Sequence, residues 1–177
     1  MKNLVVLTIA LMLPAFYANA GVGDILGTKL SDAEIAHIVV TANDIDIEAG
    51  NLAKTKAARE DVKAYAHRMI TDHTDVNRQA KDLVKKLNVT PQDNKISQSL
   101  KKDARKNMEK LQRLSSKEFD EEYIDGEIDL HKKVIEVADD KLVPNVKNEE
   151  LKALLLQVRP SLLSHLEHAQ KLDDVID

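Results

Sequence analysis

Cysteine is absent from all 177 residues of the chain. Without it there is no disulfide framework, no thiolate chemistry and no acceptor for the lipid of a lipoprotein anchor. Tryptophan is absent as well, and only 3% of the residues are aromatic. The interior must therefore be built from Leu, Ile, Val and Ala, a composition that favours helices.

A strong excess of charge of one sign is also missing, because the formal net charge is only −4. No stripe of Lys and Arg is interleaved with aromatic residues, as nucleic-acid binding would require. The slightly acidic balance argues equally against anionic lipid surfaces. We therefore expect no nucleic-acid partner, while a protein partner or a homo-oligomer stays open.

The first twenty residues have the pattern of a secretory signal peptide. Lys2 precedes the apolar run LVVLTIALML, and small residues ending in ANA follow it. The run is short for a transmembrane span. We expect cleavage after Ala20, which leaves a single domain of residues 21–177 without a transmembrane segment. The protein should then be periplasmic or secreted, and not a lipoprotein.

Apolar residues recur at helical spacing in four long segments. They predict helix A over 31–57, helix B over 61–87, helix C over 116–139 and helix D after a loop at 140–148. A short charged helix begins near Ser97, and Ser115 to Glu118 has the pattern of a capping box. Short connections make A–B and C–D antiparallel pairs. The predicted fold class is all-α, an antiparallel four-helix bundle with one extra short helix between B and C.

Three histidines lie where the helical repeat predicts a core residue: His73 on helix B, His131 on helix C and His165 on helix D. Glu48 on helix A and Glu127, one turn before His131, add carboxylates. With about 1.5 Å of rise per residue, four of these five side chains fall within two turns of the same height. His165 comes out one or two turns lower.

One interpretation of these five side chains is a metal site inside the bundle, where such ligands are usually built. Three imidazole nitrogens with one or two carboxylates suit Zn, Cu(II), Fe or Mn, so the ion's identity stays open. Metal affinity would depend on pH, because the imidazoles must be neutral.

The other interpretation is that each histidine is satisfied by a hydrogen bond within the protein. Glu48 would then serve His73, Glu127 would serve His131, and Tyr123 or a backbone carbonyl would serve His165. An unpaired buried polar group costs about 1–3 kcal/mol, so three histidines in one aliphatic core are costly to keep for stability alone. Both interpretations stay open on the sequence.

The order of motifs resembles a known family. IEAGNLA at 47–53, VKAYA at 62–66, MITDH at 69–73, FDEEY at 119–123 and PSLLSHL at 160–166 together look like an exported bacterial family of unknown function. Its members are often labelled outer membrane or periplasmic proteins and are placed near the ferritin-like bundles. The resemblance spans nearly all of residues 21–177 and implies a ferritin-like fold, but no established activity.

The resemblance carries the family's recurring positions onto Glu48, Asp72, His73, Asp120, Tyr123, His131 and His165. Among these, Asp72, Asp120 and Tyr123 are expected to support the metal ligands rather than bind the ion. A di-iron carboxylate site needs a Glu three residues before a His on two helices, but Ile70 and Ile128 stand at those places. Ferroxidase chemistry is therefore disfavoured.

Three functional hypotheses follow. The leading one is a non-enzymatic exported bundle that binds a transition metal, in envelope stress protection or metal sequestration. The second is a metal-free structural or protein-interaction bundle. The third, an oxidase or hydrolase with an open coordination position, has no nucleophile, phosphate loop or acid–base pair in the sequence to mark its reaction.

Overall fold

The computed structural model describes residues 29–176. The signal peptide predicted over 1–20 and its cleavage after Ala20 lie outside the described residues. Within them every regular element is helical and no strand occurs, which confirms the all-α class.

Six α-helices and one π-helical turn follow one another along the described chain. Their bounds are α1 Asp32–Lys56, α2 Glu60–Lys86, α3 Lys95–Arg113, α4 Ser116–Val137, the π turn Ala138–Leu142, α5 Val143–Asn145 and α6 Glu149–Ile176. The helix predicted near Ser97 is α3, and α6 continues through Pro160.

Local capping fixes where two of these helices begin. The Ser31 hydroxyl accepts a hydrogen bond from the Glu34 N–H, and the Glu34 carboxylate accepts one from the Ser31 N–H, which forms a capping box on α1. Asn94 caps α3 in the same way through the Ser97 N–H. The capping box predicted from Ser115 was wrong, because Ser115 makes no side-chain cap bond. Ser116 has φ 54°, a left-handed conformation outside the helical first turn that such a box requires.

The long helices pack around a common interior. The most extensive contacts join α1 to α2 and α4 to α6, while α2 also contacts α6 and α1 also contacts α4. Gly50 brings α1 close to α2, because a Cβ there would lie 3.0 Å from Ile70 Cγ1. The helix α3 lies over α1 and α4.

The loop predicted over 140–148 was wrong, because the chain stays helical from α4 through the π turn to Asn145. This extension adds about two turns above His131. Counted from the end of α5 and from the start of α6, His131 and His165 then lie at similar heights, about 21 Å and 24 Å. The height difference expected for His165 disappears for this reason.

Buried apolar residues form two clusters, one at each end of the interior. The turn-end core lies near the α1–α2 turn and includes Tyr65, Met69, Phe119, Tyr123 and Ile124. The far-end core includes Ile35, Ile38, Leu100, Leu142 and Leu155. Seven polar side chains are also buried along α1, α2, α4 and α6: Asn43, Asp46, His73, Asn77, Glu127, His131 and His165.

Across the described residues, none of the helices combines the length and the apolar character needed to cross a membrane.

Candidate metal site

His73, His131 and His165 meet in the interior, and we call them the histidine cluster. Each is 4% exposed or less. Their ring centroids are 5.2–5.7 Å apart, and one nitrogen of each ring lies within 4.8 Å of the others. Helices α2, α4 and α6 contribute one histidine each, so the arrangement depends on the tertiary fold.

The orientation of His73 follows from a chain of hydrogen bonds that ends at a carboxylate. Asn77 Nδ2 donates to Asp44 Oδ1 at 2.6 Å, and Asn43 Nδ2 donates to Asn77 Oδ1 at 3.1 Å. Because both amides are thereby oriented, Asn43 Oδ1 must accept the 2.7 Å bond from His73 Nδ1–H. The other nitrogen, Nε2, therefore carries a lone pair, and it has no hydrogen-bond partner.

The other two histidines are held in the same manner. His131 Nδ1 donates to the backbone carbonyl of Glu127 at 2.9 Å, and His165 Nε2 donates to Asp72 Oδ2 at 2.8 Å. These bonds leave lone pairs on His131 Nε2 and His165 Nδ1, which lie 3.4 Å apart. All three rings thus donate outward and direct an unprotonated nitrogen inward, as imidazoles that bind metals do.

Asp46 on α1 brings a carboxylate to the same point. Its Oδ2 lies 3.2 Å from His73 Nε2 and 3.7 Å from His131 Nε2. The side chain is 3% exposed, and its Oδ1 has no hydrogen-bond partner. Among the described residues no Lys or Arg pairs with Asp46; its ion-pair neighbours are these histidines alone. A buried carboxylate facing imidazole lone pairs is an arrangement that a cation would stabilise.

Burial disfavours a proton on two of the three imidazoles at neutral pH. Burial lowers the pKa of His73, against the opposing charge of Asp46. Burial likewise lowers the pKa of His165 to about 4, although Asp72 acts against the shift. Both imidazoles are therefore neutral in the folded protein, as metal ligands must be.

Glu127 and Tyr123 lie on the turn-end side of the histidine cluster. The Glu127 carboxyl belongs, with Asp46 and His131, to a second group whose ligand atoms lie within 4.8 Å of one another. Burial and the charge of Asp46 raise the pKa of Glu127 well above its usual range. Burial, followed by the charges of Glu127 and Asp46, raises the pKa of Tyr123. Both shifts favour the protonated form of the side chain. Neither Glu127 Oε2 nor the Tyr123 hydroxyl has a hydrogen bond of normal geometry, although the close approach of Tyr123 and Asp46 to the Glu127 carboxyl contributes to its shift.

The donor set fits a transition metal ion. Nitrogen donors bound at about 2.0–2.1 Å around a tetrahedral ion lie roughly 3.3 Å apart. The 3.4 Å between His131 Nε2 and His165 Nδ1 is of that size. Three imidazoles and one carboxylate suit Zn, Cu(II), Fe or Mn.

Comparison with known proteins gives a family without an activity. Residues 23–172 match a family described as a domain of unknown function, DUF4142. The chain belongs to the DUF4142 family. No curated protein and no solved structure matches this chain. Membership in DUF4142 assigns no chemistry to this chain.

This DUF4142 chain places the predicted site residues in different surroundings. The structure brings together His73, His131, His165 and Glu127, with Asp72 bonded to His165. Glu48 is exposed and lines the groove beneath α3, because two residues along a helix turn its side chain about 200° from Asp46. Glu48 therefore cannot form the hydrogen bond predicted with His73. The neighbours of the His73 ring are instead Asn43 and Asp46.

Asp120 lies apart from the histidine cluster. Its carboxylate accepts hydrogen bonds from the N–H groups of Ala58 and Arg59, both at 2.9 Å, and so it holds the α1–α2 turn. Asp120 is seven residues before Glu127, about 10 Å along α4. The partner expected for His165 was also wrong, because Asp72 rather than Tyr123 accepts its hydrogen bond.

Sequence reasoning missed Asn43, Asp46 and Asn77, all buried. A signal for them exists in this DUF4142 sequence, since 43, 46, 50 and 53 recur at the spacing of three and four that marks one helix face. Gly50 and Ala53 on that face are small and buried. A search for apolar residues alone passes over such a face when its members are polar or small.

Proposed function

We propose that this protein binds one transition metal ion per chain through His73, His131, His165 and Asp46. The observation that carries the proposal is the inward direction of three imidazole lone pairs and one buried carboxylate, with every outward N–H already bonded. Four acceptors that face one another repel unless a cation lies between them. Asn43, Asp72 and the Glu127 carbonyl would orient the ligands, as outer partners do in metal sites.

The helix contacts support an antiparallel four-helix bundle formed by α1, α2, α4 and α6, with α3 as the additional helix. We place this bundle in the ferritin-like class on the resemblance of its motifs. The absence of a Glu three residues before His73 or His131 distinguishes it from di-iron members of that class. A single ion with histidine-rich ligation is the form of the site that these residues support.

We further propose that the protein acts outside the cytoplasm, after removal of residues 1–20. A tight, buried site without a nucleophile beside it suits sequestration of a metal or protection of the envelope under stress. The competing hypothesis is a metal-free structural or interaction bundle. Each histidine already has one hydrogen bond within the protein, which is the observation that favours this alternative.

Elemental analysis of protein purified from its native compartment tests the proposal. The wild type should carry about one metal ion per chain, and His73→Ala and His131→Ala should each carry almost none. His67→Ala is a matched control, since His67 is exposed on the same helix as His73. Metal-free wild-type protein whose melting temperature is unchanged by Zn, Cu, Mn and Fe would overturn the metal site and leave the structural alternative.

A further inference from the structure

A cavity of about 270 Å³ extends from the histidine cluster toward the far-end core. Helices α1, α2, α4, α6 and the π turn form its walls, which are largely aliphatic. The aliphatic lining includes Ile38, Ala42, Leu130, Val134, Leu155 and Val158. A metal ion held by the histidine cluster would occupy only the inner end of this space. The proposed function therefore gives no role to the aliphatic part of the cavity.

Hydrogen-bond acceptors are left free at the inner end of the cavity. All three rings of the histidine cluster line this end, and each ring already donates its N–H elsewhere. Asp46 lines the cavity as well. Asp46 Oδ1 and His73 Nε2 are buried without hydrogen-bond partners, on side chains that are 3% and 4% exposed. A ligand whose head group lies here must therefore donate hydrogen bonds.

The charged residues of the lining all have the same sign. Asp46, Asp72 and Asp75 are among the described residues that line the cavity, and none of those residues is Lys or Arg. Asp72 and Asp75 have Arg68 and Arg78 as ion-pair partners, at 3.4 Å and 3.3 Å. The ion-pair neighbours of Asp46 among the described residues are imidazoles alone. Of the three carboxylates, Asp46 is thus the one that a cationic ligand would compensate.

The cavity reaches the surface between α2 and α6. Asp75, Gln157 and Ser161 line it and are exposed. Gln157 Nε2 donates a 3.5 Å bond to Gln79 Oε1 across this opening. Two long side chains thus bridge the opening, and their separation would admit a small molecule.

We propose that this cavity binds a small primary alkylamine when no metal is bound, with the ammonium group at Asp46 and His73 and the aliphatic chain along the cavity walls. An ammonium group supplies three N–H donors and one positive charge, which match the two free acceptors and the buried carboxylate. A carboxylate head would supply neither, and a hydroxyl would supply one donor without charge. The inference goes beyond the proposed function, because the amine needs no metal. Amine and metal would exclude each other, since both use Asp46.

The size and lining of the cavity set the rest of the ligand. An apolar cavity of about 150 Å³ holds benzene, so 270 Å³ has room for a chain of several methylenes. Each buried methylene raises affinity roughly fourfold. Affinity should therefore rise along a series of straight-chain amines until the cavity is filled.

Calorimetric titration of metal-free protein at neutral pH with ethylamine, propylamine, butylamine, pentylamine and hexylamine tests this inference. The dissociation constant should fall roughly fourfold per methylene. Pentanol and pentanoate have chains of similar length with other head groups, and each should bind at least about tenfold more weakly than pentylamine. Equal affinity along the amine series, or pentanol or pentanoate that binds as tightly as pentylamine, would overturn the inference.

A first pair of variants tests the position of the ammonium group. Asp46→Asn should weaken pentylamine binding by about tenfold or more, because it removes the charge of the acceptor. Glu48→Gln neutralises an exposed carboxylate of the same helix and should leave pentylamine binding unchanged. Wild-type affinity for pentylamine in Asp46→Asn would contradict the proposal.

A second pair tests the position of the aliphatic chain. Val158→Phe fills the cavity from α6, and Val175→Phe makes the same change at an exposed position of the same helix. Val158→Phe should lose the dependence on chain length, while Val175→Phe keeps it. Unaltered chain-length dependence in Val158→Phe contradicts the assignment to this cavity. If that variant does not fold, the wild-type series and Asp46→Asn decide the matter.

The two proposals fail in different ways. Protein that binds Co(II) but no alkylamine overturns only the present inference, and protein that binds alkylamine but no Co(II) overturns only the metal site. Where both bind, pentylamine should raise the apparent dissociation constant of Co(II). An unchanged Co(II) affinity in saturating pentylamine would overturn the shared use of Asp46.

Discussion

Asp46 and Asp120 are both buried aspartates, 3% and 0% exposed, but their carboxylates have opposite surroundings. Asp120 accepts hydrogen bonds from two backbone N–H groups at the α1–α2 turn. Asp46 faces two imidazole nitrogens that carry no hydrogen, and one of its oxygens has no partner. The protein therefore compensates the buried carboxylate of Asp120 with two N–H donors, whereas Oδ1 of Asp46 has no such donor and would be compensated by the cation of the proposed site.

The regions around the two aspartates also differ in what fills the interior beside them. Near Asp120, the turn-end core contains Phe119, Tyr123 and Tyr65 in edge and stacked contacts. Beyond Asp46, the far side of the histidine cluster contains a cavity. The two ends of the interior therefore differ in their side chains, with aromatic contacts at one end and a cavity lined mainly by aliphatic residues toward the other.

The largest expected effect is the loss of stability when Asp120, which holds the α1–α2 turn, is replaced. Asp120→Ala should lower the free energy of unfolding by roughly 2–4 kcal/mol, because it removes a charged acceptor from two N–H groups. Urea unfolding measures this loss. Asp129→Ala, at an exposed position of the same helix, should change stability by less than about 0.5 kcal/mol. Metal content should be unchanged in both variants, and metal loss in Asp120→Ala would break the distinction between the two regions.

A smaller effect, on metal affinity, is expected when Asp72, the hydrogen-bond partner of His165, is replaced. Asp72→Asn should weaken metal binding by about 10–100-fold, the range seen when an outer partner of a ligating histidine is removed. Competition with a chelator of known affinity measures the change. Asp75→Asn, one turn further along α2 on an exposed side chain, is the control and should bind as the wild type does. Identical affinities for Asp72→Asn and Asp75→Asn would remove Asp72 from the site.

The metal-free protein should lose stability as the pH falls from about 6.5 to 4. The pKa of His165 is lowered to about 4 in the folded protein, mainly by burial. Within this window the unfolded chain binds a proton that the folded chain does not, so acid favours unfolding. His165→Gln should reduce this loss by on the order of 1 kcal/mol between pH 6.5 and 5. Melting temperatures of both proteins, measured from pH 6.5 to 4 in chelator, should fall with pH, and less steeply for His165→Gln.

The smallest expected effect is on the stability of the metal-free protein when Asp46 is neutralised. Asp46→Asn should leave the free energy of unfolding unchanged or raise it by up to about 1 kcal/mol, because it replaces a buried carboxylate whose Oδ1 has no hydrogen-bond partner. The same variant should bind metal more weakly. Chemical denaturation in chelator compares it with Asp120→Asn, which should be less stable than the wild type. A large loss in Asp46→Asn would show that Asp46 is compensated within the protein.

Helical periodicity was sufficient to predict the all-α class and the inward positions of His73, His131 and His165. This succeeds because a long amphipathic helix has a single consistent apolar face, which marks any polar residue on it. The same reasoning selected Glu48 on α1 and did not consider Asp46, because apolar residues of this helix occur on more than one face. The partners Asn43 and Asn77 could not be recognised, since the chain they form depends on the packing of α1 against α2.

The sequence pattern also could not predict the height of one helix relative to another. Asp140 to Asn148 contains Pro144 and charged residues, which indicate a loop, but the chain continues as the π turn and α5. Tertiary contacts of Leu142 and Val146 with the far-end core stabilise this extension. It is the step that brings His131 level with His165.

Anomalous diffraction from crystals of the metal-loaded protein tests the central claim most directly. The account predicts one peak per chain at the metal's absorption edge, bonded to His73 Nε2, His131 Nε2, His165 Nδ1 and Asp46. A peak at another position, or histidine nitrogens that surround only protein or water in crystals soaked with Zn, Cu, Mn or Fe, would contradict it.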